Sequence, residues 1–151
     1  MTILDRLSGD LKESLKGGDS LKSSVIRLIK SAVKYKEIEC KAPLSNDQVI
    51  EVIMSGIKQR RDSIEQFSKG GRLDLVEKET REIEILKGYL PQLLTDEELA
   101  AEVKATMKEV GATSAKDMGK VMKALMPRLK GRAEGTKISS IVKELMDATA
   151  H

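Results

Sequence analysis

The chain of 151 residues reads as all-α. Three observations predict it: apolar residues recur at helical spacing almost throughout, no run alternates apolar with polar as a half-buried strand does, and capping signals stand directly before the apolar stripes. Hydrophobic residues make up 40% and charged residues 34%, with 27 basic against 24 acidic, the composition of a helix-rich folded chain rather than a disordered one.

A first helix is predicted from about Ile3 to Lys16, stopped by Gly17-Gly18. A second runs from about Leu21 to Glu39, with Val25, Ile29, Ala32 and Val33 as its apolar stripe, and Pro43 ends it. The third starts at Ser45. Ser45 and Gln48 have capping-box spacing and Leu44 and Val49 hold the two staple positions, after which Ile50, Ile53, Ile57 and Ile64 carry the helix to about Ser68. Gly70-Gly71 turns the chain into a fourth helix, about Leu73 to Gly88, with Val76, Ile83 and Leu86 inward. Glu77, Glu79, Glu82 and Glu84 alternate there with Lys78, Arg81 and Lys87, which reads as solvated pairing rather than carboxylate catalysis.

Pro91 marks a boundary, and the segment from Gly88 to Gln92 is expected to be extended because a residue before proline avoids the helical region. Thr95 opens a fifth helix, with Glu98 completing a capping box and Leu94 and Leu99 a staple; Val103 and Met107 continue the stripe and Gly111 stops it. Ser114 is expected to cap a sixth helix with Met118, Val121, Met122, Leu125 and Met126 as its inward line. Lys130-Gly131-Arg132 connects to a last helix carrying Ile138, Ile141, Val142, Leu145 and Met146. The expectation is four helices over 1–91 and three over 92–151.

The rare residues exclude chemistry. Cys40 is the single cysteine and His151 the single histidine, so no intrachain disulfide forms and zinc lacks its usual ligands. Histidine-based nucleophilic catalysis needs an oriented imidazole, which a terminal residue seldom supplies. Glycine-rich phosphate fingerprints are absent, and Ser139-Ser140 with Lys143 lacks the surroundings of a serine–lysine site. No catalytic residue, cofactor or metal is therefore assigned. No apolar run approaches the roughly 18 residues of a membrane span. Asp5 and Arg6 interrupt any leader-like stretch, so a cytoplasmic location is expected.

Charge is distributed unevenly. From Lys116 to Lys137 seven basic residues (Lys116, Lys120, Lys123, Arg128, Lys130, Arg132, Lys137) stand against Asp117 and Glu134, while Asp96, Glu97, Glu98 and Glu102 cluster in the fifth helix. Lys116, Lys120 and Lys123 share a face distinct from the methionine line, and Gly131 allows a sugar-phosphate chain to come close. Lysines are also simply what helices turn to water, and composition alone favours that plainer reading. With 2% aromatics, base stacking is not the expected mode; backbone and shape recognition of structured RNA is. A second basic cluster, Lys22, Arg27, Lys30, Lys34 and Lys36, contains no acidic residue.

The segments Tyr89-Leu90-Pro91-Gln92-Leu93-Leu94, Gly111-Ala112, Lys116-Asp117-Met118-Gly119-Lys120-Val121-Met122, Lys130-Gly131-Arg132-Ala133 and Val142-Lys143-Glu144 occur in that order. In this combination the chain resembles the GatB/YqeY family, specifically its stand-alone YqeY-like branch, over essentially its whole length. The resemblance implies a four-helix bundle-like N-terminal domain and a three-helix domain similar to the tail of GatB, a subunit of the glutamine-dependent tRNA amidotransferase. That tail grips the outer corner of tRNA and does no chemistry. The resemblance thus points to tRNA, or a tRNA-containing complex, as partner, with Lys116, Lys120, Lys123, Arg128, Lys130, Gly131, Arg132 and Lys137 as the binding residues. Two alternatives stay open: an accessory part of a carbon–nitrogen ligase with glutamine as amido-N-donor, and a protein-interaction adaptor using the N-terminal bundle. Nothing here resembles the cradle domain that carries GatB catalysis.

Overall fold

The computed structural model describes residues 1–149; His151, the single histidine, lies outside them. Seven α-helices and a short 3-10 turn make up the described chain, with no strand among the described residues. Two compact units divide it, Met1–Leu90 and Pro91–His151.

In the first unit α1 (Ile3–Gly17) begins with a reciprocal box in which Thr2 Oγ1 accepts from Asp5 N–H and Asp5 accepts from Thr2 N–H, each at 3.1 Å. α2 (Ser20–Cys40) is capped by Asp19. α3 (Asn46–Lys69) starts as its sequence predicts, with Ser45 and Gln48 reciprocally bonded and Leu44 and Val49 both buried. α4 (Leu73–Lys87) follows the Gly70-Gly71 turn. Leu7, Val25, Ile26, Ile53, Ile57, Ile83 and Leu86 form the interior. Ala32, expected inside, is exposed; Ile26 takes the inward place instead. Gly56 lets α3 approach α2, since a Cβ there would stand 3.1 Å from Ile29 Cδ1.

Glu82 is not part of a solvated ladder. It is buried with Arg60 of α3, whose Nε donates to Glu82 Oε2 at 3.1 Å and whose Nη1 donates to the Gly56 carbonyl, also at 3.1 Å. Partly buried Glu79 sits beside them, and burial followed by the Glu82 charge holds its carboxyl above the ordinary range. The Glu77–Arg81 pair, by contrast, is exposed, as expected of an i,i+4 surface contact.

Gly88 to Leu90 is not extended. The N–H groups of Gly88, Tyr89 and Leu90 donate to the carbonyls of Ile85, Leu86 and Lys87, so tight turns wind the chain off α4. Tyr89 accounts for this: its side chain is anchored. Its ring lies under the Arg6 guanidinium at 5.1 Å and its hydroxyl donates to Asp10, while Arg6 Nη2 donates to the Gly88 carbonyl at 2.9 Å. Burial, then the Asp10 contact, pushes the phenol well above its ordinary titration range.

The second unit contains α5 (Asp96–Val110), the 3-10 turn Ala115–Asp117, α6 (Met118–Leu129) and α7 (Gly135–Thr149). Its interior is Leu99 and Val103 of α5, Val121, Leu125 and Leu129 of α6, and Ile138, Val142 and Met146 of α7. Met126, predicted inward, is exposed: the buried line of α6 steps from Val121 through Leu125 to Leu129. Thr95 caps α5 by accepting from Glu98 N–H at 3.1 Å. Ser114 does not cap the next helix. Asp117 reaches back instead, its carboxylate accepting from Thr113 N–H at 3.0 Å and Ser114 N–H at 3.4 Å. α6 continues through Pro127, whose missing N–H deprives the Lys123 carbonyl of its helical donor.

Candidate nucleic-acid interface

The buried line of α6 leaves the opposite side of that helix to solvent. Lys120 and Lys123, at i and i+3, lie there with Pro127, and exposed Lys130 follows at the helix end. Lys116 is exposed in the preceding 3-10 turn. Lys120 and Lys123 thus share one solvent-facing side of α6, with exposed Lys116 before the helix and exposed Lys130 after it.

The other expected site residues are placed differently. Arg128 projects toward α5, where Nη2 donates to Glu109 Oε2 at 2.7 Å and Nη1 lies 3.4 Å from Thr106 Oγ1. The Glu109 contact holds its guanidinium above its ordinary value. Lys137, at the start of α7, pairs with Asp96 at the start of α5 at 2.5 Å. Arg132 is exposed, and its carbonyl accepts from Leu94 N–H at 2.9 Å, tying the connection to the segment before α5. Gly131 is buried with φ +76°, so its role is to make the turn and not to offer bare backbone to a ligand.

The expected eight residues thus divide. Two of the cations, Arg128 and Lys137, are matched by carboxylates of α5. Lys116, Lys123 and Arg132 have no ion pair among the described residues. Lys120 faces Asp117, whose carboxyl is held below its ordinary value chiefly by the Thr113 N–H and then the Ser114 N–H, with the Lys120 charge adding to them. Asp117 is therefore hydrogen-bonded to the backbone, and Lys120 is exposed. Point charges in a row are suited to holding phosphates.

Among the described residues no group of His, Cys, Asp and Glu side chains is arranged to hold a metal ion, and no helix is long and apolar enough to cross a membrane. Ser139 and Ser140 belong to the second turn of α7, within an ordinary helix.

A feature the sequence reading missed lies in the first unit. Leu28, Tyr35 and Ile38 of α2 are 58%, 69% and 68% exposed. Helical spacing through Leu21, Leu28, Tyr35 and Ile38 traces a second apolar line on α2, but the stronger Val25–Ile29–Val33 line hides it in any single-stripe analysis.

Comparison with known proteins supplies relatives. The Yqey-like protein family model matches residues 4–146. Among curated proteins, the chain is similar to proteins named Altered inheritance of mitochondria protein 41, mitochondrial. It is 39% identical to that of Lachancea thermotolerans over 107 residues, which is 69% of this chain and 57% of the relative. It is 35% identical to that of Eremothecium gossypii over 113 residues, 73% and 62% of the two chains. For that of Saccharomyces cerevisiae the figures are 33% over 141 residues, 93% and 66%. The chain spans less than two thirds of the length of these relatives. The expectation of a cytoplasmic location is overturned by them, because each is named as a mitochondrial protein. The leader-like stretch sought at the N-terminus was an apolar one, a signal that carries no information on mitochondrial address.

Proposed function

This chain belongs to the Yqey-like protein family, and on that premise we propose that it is a non-catalytic docking module whose second unit holds structured RNA, tRNA foremost, by its phosphate backbone. In this reading α5, α6 and α7 play the part of the GatB tail and contribute grip without chemistry. The observation that carries it is the pair Lys120 and Lys123, turned to solvent opposite the α6 core line, with exposed Lys116 and Lys130 before and after the helix. Of the eight expected residues, Arg128 and Lys137 are paired with the α5 carboxylates Glu109 and Asp96, while Lys116 and Lys123 have no ion pair among the described residues. The scarcity of aromatic side chains favours backbone and shape over base stacking.

Binding of the purified chain to total tRNA at two salt concentrations tests this. A complex should form that weakens as salt rises. Lys120→Glu with Lys123→Glu should weaken it further, and the log–log salt slope should flatten by about one unit for each phosphate that is no longer neutralised. Charge reversal at Lys16 of the first unit should change little. Absence of a salt-sensitive complex, or indifference to the α6 reversals, removes the proposal. The accessory-enzyme alternative makes a different demand: copurification with amidotransferase subunits and faster turnover on adding the chain.

A further inference from the structure

The second basic cluster, on α2, has no part in the docking surface of the second unit. No acidic residue occurs from Ser20 to Lys36. Arg27, Lys30 and Lys34, at i, i+3 and i+7, share one side of α2, away from the buried Val25, Ile29 and Val33 line. Arg27 and Lys34 are exposed and have no ion pair among the described residues. Lys30, between them, is half-buried because it reaches across to α1, where its Nζ donates to Ser8 Oγ at 3.0 Å. Lys12, four residues after Ser8 and so on the same side of α1, is exposed and likewise has no ion pair among the described residues. The contact sets the Ser8–Lys12 side of α1 beside the cationic row of α2. Three carboxylates of these helices have partners of their own: Asp5 closes the box with Thr2, Asp10 accepts from the Tyr89 hydroxyl, and Glu37 accepts from Leu44 N–H at 3.0 Å.

We infer that this edge of the α1–α2 hairpin is a second contact for RNA phosphates. The inference rests on the RNA reading above and extends it to the first unit. Ser8 accepts from an ammonium, and no acceptor for its own hydroxyl hydrogen is present among the described residues. Such a hydroxyl is polarised into a better donor, and Lys30 keeps further N–H groups to give. A phosphate oxygen, which only accepts, suits both. Exposed Ser31, four residues after Arg27 and three before Lys34, adds another hydroxyl to the row. Lysine, arginine and serine side chains are common donors to nucleic-acid phosphates. Arg27 to Lys34 covers about 10 Å of helix axis, and a duplex carries several phosphates over that length. An anionic membrane calls for apolar anchors beside the cations. Leu28 and Tyr35, large exposed apolar residues of α2, lie instead on its α3 side.

The test is titration of total tRNA with the full-length chain across a series of salt concentrations, read by fluorescence anisotropy. Arg27→Glu with Lys34→Glu should weaken the complex at least about tenfold at low salt and flatten the log–log salt slope by about two units. Both positions are exposed, so the helical circular dichroism should stay unchanged. Arg27→Gln with Lys34→Gln should flatten the slope equally with a smaller loss of affinity. Combined with Lys120→Glu and Lys123→Glu, the α2 reversals should lower the affinity further. If the α6 reversals weaken binding and the α2 reversals do no more than Lys16→Glu, the inference is overturned and the second-unit reading stands. If the α2 reversals weaken binding and the α6 reversals do not, the second-unit surface is removed and the hairpin contact stands. A chain that forms no salt-sensitive complex removes both. Binding to phosphatidylglycerol vesicles that the α2 reversals abolish, with tRNA affinity unchanged, gives the row to a membrane surface and overturns the inference.

Discussion

Replacing Glu82 by leucine should destabilise the first unit strongly, and replacing Arg60 by methionine as well should restore most of the loss. Arg60 is 9% exposed and Glu82 is 7% exposed, so removing either partner leaves the other charge with little water to return to. Such a loss is about 3–5 kcal/mol for a buried pair broken on one side. At an effective dielectric of about 20, opposite charges about 4 Å apart attract by about 4 kcal/mol, the same size. Two details order the single variants. Glu79 stands close enough to feel Arg60, so Glu82→Leu falls at the lower end, near about 3 kcal/mol. Arg60→Met leaves Glu82 and Glu79 facing one another without a cation and belongs at the upper end, near about 5 kcal/mol. The double variant has apolar groups of similar volume at both sites and should lie within about 1 kcal/mol of the original chain.

Urea unfolding of the full-length chain, followed by circular dichroism because there is no tryptophan, gives the four corners of the cycle. In thermal scans each kcal/mol should move the transition of this unit by about 4–8 °C. If a single variant fails to fold, Arg60→Lys and Glu82→Gln supply a milder cycle. Single losses below about 1 kcal/mol that simply add would refute the reasoning, because they would mean that water screens the pair and that apolar contacts alone hold α3 against α4.

Three other outcomes follow from particular residues. Gly131→Ala should cost about 1–2 kcal/mol in urea unfolding, since φ +76° brings a Cβ against the following carbonyl. Leu125→Ala, at a side chain with no exposure, should cost about 2–5 kcal/mol in the second unit and leave the first transition in place. Asp117→Ala should loosen the turn at 113–117 ahead of α6 and alter the acid response. The folded carboxyl titrates below its ordinary value of 3.8, so its stabilisation is complete above that value and disappears as pH falls through the folded one. The stability difference between the original chain and the variant should therefore close in acid, and a gap independent of pH would count against a role for these two bonds.

Much of the fold could be read without coordinates because local rules governed it. Ser45 and Gln48 cap α3 as their spacing requires, and Val25, Ile29 and Val33 face inward as their period requires. What escaped depended on partners distant in the chain. Glu82 looks like its neighbours until Arg60, 22 positions earlier, packs against it. Proline's bias reaches only Leu90, so it does not govern Gly88 and Tyr89, where turns continue from α4 and the Tyr89 ring is held by Arg6 and Asp10. At Ser114 the side chain does not act as a cap; its N–H donates to Asp117, three residues later, a contact that the cap signature did not reveal. The basic run of the candidate site was legible as a run, whereas its division was not: α5 carboxylates claim Arg128 and Lys137 only once α5 lies against α6 and α7.

The clasp of Arg6 and Asp10 on Gly88 and Tyr89 also bears on the order in which the first unit can mature. Its two contacts link positions 79 and 82 apart, whereas the helix-pair contacts of α1 with α2 and α3 with α4 join near neighbours. During synthesis the helical hairpins can assemble as they emerge, but α1 has no final fastening until the chain has grown past Tyr89. Pro91 follows at once, and the second unit begins there. The clasp thus ties the tightening of α1 to chain length: a released fragment ending before Tyr89 should show a looser α1 by hydrogen exchange, and one extended by a few residues a tighter one.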